Sequence, residues 1–252
     1  MSFTEKNYIC AKNRKAEHKS CMKERIIALW RMIAFLALVP VMSMILVACK
    51  PDEGGTIIPP VTPPAMTTHE AVDLGLSVKW ASCNIGAESP EDLGGYYAWG
   101  ETEEKTEYSW STYRWYDTDN HKLTKYCSID GMKALVPEDD VARVKWGDSW
   151  RTPTSDEIVE LLNECVWEWT SVNGVNGYRV IGRNGNSIFL PVPGFCHGED
   201  VFGSGGRGYY WSSTLDSYYD RAWYIDLSEE YCNWSSLLAR SNGLSVRPVT
   251  DK

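Results

Sequence analysis

Apolar residues run almost unbroken from Ile26 to Ala48, apart from Arg31 and Ser43. The charge-free part, Met32 to Ala48, is 17 residues long, which suits the apolar core of an export signal better than a spanning helix. Beyond it the pattern changes character. Ala71 to Trp80 offers short strand-like runs divided by Gly75. After Trp150-Arg151-Thr152-Pro153, Thr154 and Glu157 form a capping box, and Ile158, Leu161, Leu162 and Cys165 recur at helical spacing. That spacing predicts a helix with one face buried against a sheet. Alternation then takes over: 167–170, 178–181 and 186–190 read as strands, separated by Asn173-Gly174, Asn176-Gly177 and Gly182 to Gly185. The result expected is an antiparallel meander, completed by strands over 222–227 and 243–249. No alternating series of helices and strands supports a parallel sheet. The predicted class is α+β, with few helices and long loops.

The apolar N-terminal stretch ends at Leu46-Val47-Ala48-Cys49, behind a charged region containing Lys23 and Arg25. This resembles the bacterial lipoprotein signal, whose Cys is acylated and becomes the new N-terminus. The thiol forms the thioether to lipid, and the small neighbour admits the peptidase. A plain membrane anchor with an incidental Cys is the alternative. The first 21 residues are polar and delay the apolar core, so Met22 is a candidate true start. Lys50-Pro51-Asp52-Glu53 resembles, loosely, the surface-export signal of Bacteroidetes lipoproteins. Pro59-Pro60-Val61-Thr62-Pro63-Pro64 then reads as an extended, semi-rigid spacer. The organisation expected is a signal segment over 1–48, a Pro-rich tether over 49–66 and one domain over 67–252. It places the domain at the outer membrane, held by lipid on Cys49 and facing the cell surface.

Charge narrows the partners. From Cys49 onward the chain carries 17 Lys or Arg and 31 Asp or Glu, a formal charge of −14. No basic stripe is offered to phosphates, which argues against nucleic acid, and membrane attachment must come from the lipid. Eleven of the 12 Trp and 13 of the 14 Tyr follow residue 79. So many rings exceed what one core of this size hides, and exposed Trp and Tyr are favoured binding surfaces.

Several blocks, in order, carry a family resemblance: Leu76 to Ala87, Gly95-Tyr96-Tyr97-Ala98-Trp99-Gly100-Glu101-Thr102, Trp150-Arg151-Thr152-Pro153-Thr154, Gly185 to Pro191, Gly208-Tyr209-Tyr210-Trp211-Ser212-Ser213 and Ser245-Val246-Arg247-Pro248-Val249. Together they resemble the Fibrobacter succinogenes major paralogous domain, common on Bacteroidetes lipoproteins. That family is distantly similar to C-type-lectin-like folds, including the formylglycine-generating enzyme group. The resemblance implies a lectin-like domain and no particular activity or catalytic residue.

The residues themselves point away from catalysis. Cys83, Cys127, Cys165, Cys196 and Cys232 are spaced too widely for a paired zinc motif, though an exported domain could oxidise some of them. His69, His121 and His197 make no metal pair, and no Ser or Cys stands in a nucleophile elbow. Gly203-Ser204-Gly205-Gly206-Arg207-Gly208 matches a dinucleotide-binding glycine pattern, but Tyr209-Tyr210-Trp211 follows where a helix should start. Glu138-Asp139-Asp140 and Glu199-Asp200 offer calcium ligands, without a complete calcium loop. No cofactor, metal or catalytic residue is expected. The candidate ligand-binding residues are Trp110, Tyr113, Trp115 and Tyr116 in one polar loop, and Tyr218 and Tyr219 in another; the alternative is that these rings pack beneath their loops. A non-enzymatic binding or adhesion module for a glycan or surface protein is the function expected. The rival is a structural or interaction subunit of a surface assembly.

Overall fold

The structure, a computed structural model, describes residues 70–252. The signal segment, Cys49 and the tether lie outside the described residues. Every ladder within the described residues is antiparallel, with a few isolated bridges of either sense between them. The architecture is α+β and mostly sheet.

The helix expected after Pro153 is present. We call it α2, spanning Ser155–Glu164; a shorter helix, α1, spans Val141–Trp146. Thr154 Oγ1 accepts the Glu157 N–H at 3.2 Å, and the Glu157 carboxylate accepts the Thr154 N–H at 2.8 Å. Two otherwise unpaired donors are thereby satisfied at the start of α2. Ile158 and Leu161 are buried, with Leu162 and Cys165 partly covered.

A meander follows, Val166–Val172, Val175–Ile181 and Ser187–Pro191. Val172 pairs directly with Val175, leaving a two-residue turn in which Asn173 and Gly174 both have positive φ. This is the geometry that Asn-Gly favours in a tight hairpin.

The later strands depart from expectation. Ala222–Ser228 does not complete that meander: it lies in a second three-stranded sheet, between Arg207–Leu215 and Tyr231–Ser235. The 243–249 run is split into Gly243–Leu244 and Val249–Thr250, which belong to two different sheets. Val249–Thr250 lies between Lys79–Ala81 and Trp150–Arg151, and so ties the end of the chain to its opening.

The second three-stranded sheet divides two cores. On one face Tyr210, Ile225 and Leu227 join Trp80, Ile158, Leu161, Val180 and Leu190. On the other, Tyr209, Trp211 and Tyr224 join Tyr97, Trp99, Tyr126 and Leu215. A third cluster gathers Ala98, Tyr108, Tyr113 and Cys196. Arg247 is fully buried between these layers. Its guanidinium donates to Asn84 Oδ1 (2.8 Å) and to the carbonyls of Ala81, Ser82 and Phe189 (2.8–3.1 Å). Such a cation is tolerated inside because its donors are matched by fixed dipoles.

Candidate functional site

The aromatic loop residues are gathered by the fold, but into packing. Tyr113 is 2% exposed, and its hydroxyl donates to the Trp99 carbonyl at 2.6 Å. Burial pushes its phenol far above the ordinary range. It cannot stack on a ligand, which corrects its candidacy: the loop folds back so that this ring fills the third cluster. Trp110 is half-buried and packs against Tyr113 and Tyr116, with ring centroids 5.5 and 5.2 Å apart. Trp115 is half-buried too, its indole N–H donating to the Gly100 carbonyl at 2.9 Å. Tyr116 is fixed in the short hairpin Tyr116–Asp117 with Lys122–Leu123. Of the other pair, Tyr218 is exposed, whereas Tyr219 sits under the Lys133 ammonium at 3.2 Å. Of the six, only Tyr218 is exposed.

Two of the calcium candidates, Asp139 and Asp140, are also occupied by the fold, while Glu138, Glu199 and Asp200 are exposed. Asp139 is buried against Lys125 and the Tyr126 hydroxyl, each at 2.6 Å. Asp140 caps α1 through Ala142 N–H and accepts both the N–H and hydroxyl of Thr152. Among the described residues no group of three or more His, Cys, Asp or Glu is placed to hold a metal ion. The glycine-rich segment is a turn leading into the strand Arg207–Leu215. Cys127, Cys165 and Cys196 are free thiols, and burial pushes those of Cys165 and Cys196 up to about 11. Neither supplies a thiolate near neutral pH. No helix among the described residues is long and apolar enough to cross a membrane.

The concavity suited to a ligand lies elsewhere. A cleft of about 760 Å³ opens between the outer face of the first meander and the edge strand Ala71–Asp73. That volume falls within the range of roughly 300–1,000 Å³ common for small-ligand clefts. Its two edges converge at Asp73, whose carbonyl accepts the side-chain amides of Asn184 (2.7 Å) and Asn186 (2.8 Å). Gly182 makes this approach possible, because a Cβ there would run into the Leu74 carbonyl. Val72, Val172, Ile188 and Phe189 give the cleft apolar surface, and Thr170, Ser82 and Ser187 add hydroxyls.

Charge in the cleft is unevenly matched. The Gly75 N–H and Lys252 hold Asp73 below the usual carboxylate range. The Asn173 amide, 2.5 Å away, does the same for Glu91. Arg179 donates through Nε to Ser187 Oγ at 3.3 Å, and no carboxylate of the described residues lies within ion-pair distance of it. Arg179 sits mid-strand, opposite Glu168 and Phe189. Sequence reasoning passed over it, since a charge in an alternating strand reads as a solvated face. The signal lay in its being the sole Lys or Arg of the meander strands, facing a wall that only topology supplies.

Comparison with protein-family models, with characterised proteins and with solved structures yields no match to this chain.

Proposed function

We propose that the chain is an exported, lipid-anchored lipoprotein that presents a non-enzymatic binding domain at the cell surface, for a glycan or protein ligand. The sequence blocks quoted above support placing the domain with the Fibrobacter succinogenes major paralogous family and its C-type-lectin-like fold. The observation that carries the binding reading is the cleft. It combines apolar floor, hydroxyls, the carboxylates of Glu70, Asp73 and Glu91 along its rim, and one guanidinium, Arg179, with no carboxylate partner among the described residues; that guanidinium can grip an anionic group while the rest of the ligand lies on apolar surface. No activated nucleophile accompanies it, so the reading is binding rather than turnover.

Two measurements test this. A glycan array probed with the full chain, and with Arg179→Ala, reads the cleft: binding that falls at least roughly tenfold in the variant supports it. Absence of glycan binding, together with co-purification of a neighbouring surface protein, would instead establish the structural-subunit role. Protease applied to intact cells tests orientation. Loss of the domain supports surface display, and protection overturns it.

A further inference from the structure

Cross-strand register places a second set of polar and aromatic groups together, on the face of the second three-stranded sheet opposite α2. One row across the strands is Arg207, Ser228 and Tyr231; the next is Tyr209, Asp226 and Asn233. Directly paired residues of an antiparallel sheet share a face, so these six side chains form one patch. The Arg207 guanidinium spans it, donating to the Tyr209 hydroxyl at 3.1 Å and to the Tyr231 hydroxyl. Between Arg207 and Tyr231 in register, the Ser228 hydroxyl is buried without a hydrogen-bond partner among the described residues. The hairpin Phe195–His197 with Asp200–Phe202 supplies a wall: Phe195 packs edge-on against Tyr209 at 5.2 Å, and Phe202 is 45% exposed beside it.

Asp226 is the unusual member. It is half-buried, and burial raises its pKa despite the opposing effects of Arg207 and Tyr231. Its hydrogen bonds are two 3.4 Å contacts from the Tyr231 hydroxyl, one to each oxygen. Asp139, Asp140 and Glu157, by contrast, each accept short bonds from fixed donors. A partly desolvated carboxylate with unfilled lone pairs is costly unless something supplies donors. Asn233 stands next to it with its side-chain NH2 uncommitted among the described residues, its Oδ1 accepting the Trp234 N–H at 2.8 Å.

We infer that this shelf is a binding site for a neutral pyranoside, with Asp226 accepting from two adjacent hydroxyls, Asn233 and Arg207 donating to ring or hydroxyl oxygens, and Tyr231 and Phe202 meeting the apolar face of the sugar. Charge decides the class. Arg207 and Asp226 oppose each other in their effect on any ion, so the shelf favours neither sign of charge, whereas a polyol offers donors to the carboxylate and acceptors to the guanidinium in alternation. This goes beyond the cleft and does not depend on it, since the shelf contains neither Arg179 nor any other residue lining that cavity.

The experiment is titration calorimetry, with saturation-transfer NMR, on the full chain in a sugar-free detergent. The probes are methyl glycosides of glucose, galactose and mannose, with glucuronic acid as the charged arm. A neutral glycoside is expected to bind with a dissociation constant on the order of millimolar. Asp226→Asn, which keeps shape, and Arg207→Met are each expected to weaken it at least about tenfold, while Arg179→Ala leaves it unchanged within about twofold. Circular dichroism confirms that each variant is folded. No heat or transfer signal from any neutral glycoside up to about 50 mM overturns the inference. So does binding that both shelf variants retain, or tighter binding of glucuronic acid than of its neutral counterpart by the Arg179→Ala protein, in which the cleft guanidinium is absent.

Discussion

The segment from Tyr96 to Tyr126 and the open end of the Arg207–Ser235 sheet are both dense in aromatic rings, yet they use them in opposite ways. In the first, most of the rings' polar atoms are spent inside the fold, five of them on backbone carbonyls and those of Tyr97 and Tyr126 on the carboxylates of Glu104 and Asp139. Tyr108 donates to Tyr96, Tyr113 to Trp99 and Trp115 to Gly100, at 2.5–2.9 Å. Trp99 reaches across to Ser212 at 2.7 Å. The rings thereby tie a long loop to the core, and their bonded polar atoms are no longer offered to a ligand. In the second, the Tyr209 and Tyr231 hydroxyls are bridged by a surface guanidinium, and a half-buried carboxylate keeps unfilled acceptor sites. The number of aromatic residues therefore does not distinguish a binding surface from a packed loop; what distinguishes them is where the polar atoms at the ring edges are committed.

That contrast is most sharply tested at Tyr113. Tyr113→Ala removes a ring from the third cluster and is expected to cost about 3–5 kcal/mol in urea unfolding. Tyr113→Phe retains the ring and leaves the Trp99 carbonyl unpaired, for an expected cost of about 1–2 kcal/mol. If the phenylalanine variant unfolds with wild-type midpoint and slope, the hydroxyl is not a tie and the contrast collapses. Neither substitution should alter ligand affinity, measured on protein that remains folded. On the other side, Arg207→Met is expected to move the unfolding free energy by no more than about 0.5 kcal/mol, as for an exposed side chain, while weakening sugar binding. A large loss of stability there would make Arg207 a structural strut like the loop rings.

The sequence reveals local features better than it reveals partners. Thr154 and Glu157 announced α2 because a capping box needs only residues three apart, and Asn173-Gly174 announced its hairpin because the turn is two residues long. Ala222–Ser228 was recognisable as a strand, but alternation does not name a neighbour. Its hairpin partner Tyr231–Ser235 follows Glu229-Glu230, a turn lacking the usual Gly or Asn. The polar loop around Trp110 looked exposed because Ser109, Thr112 and Asp117 punctuate it. Its rings fold inward all the same, since distant carbonyls accept their donors. The cleft and the shelf were both out of reach for one reason. Arg179 faces the strand Ala71–Asp73 about a hundred positions earlier, and the six shelf residues come from three strands brought together by register alone.

The smallest expected effect separates the two regions by its sign. Asp226 has a folded-state pKa raised above its unfolded value, with burial as the leading cause. Between those two values the folded state binds more protons than the unfolded state, so stability falls as pH rises through that window, and the loss persists above it. Asp226→Asn removes the charge while keeping the size of the side chain. It should therefore raise the urea midpoint slightly at pH 7, and the gain should disappear below the ordinary Asp pKa of about 3.9, where both side chains are neutral. A loop residue replaced as conservatively can only lose stability. At the shelf the same kind of change is expected to gain stability and lose ligand, the trade that arises when a fold keeps an unsatisfied group for binding. An Asp226→Asn protein less stable than wild type at pH 7 would show that the carboxylate supports the sheet, and would return the shelf to the same category as the loop.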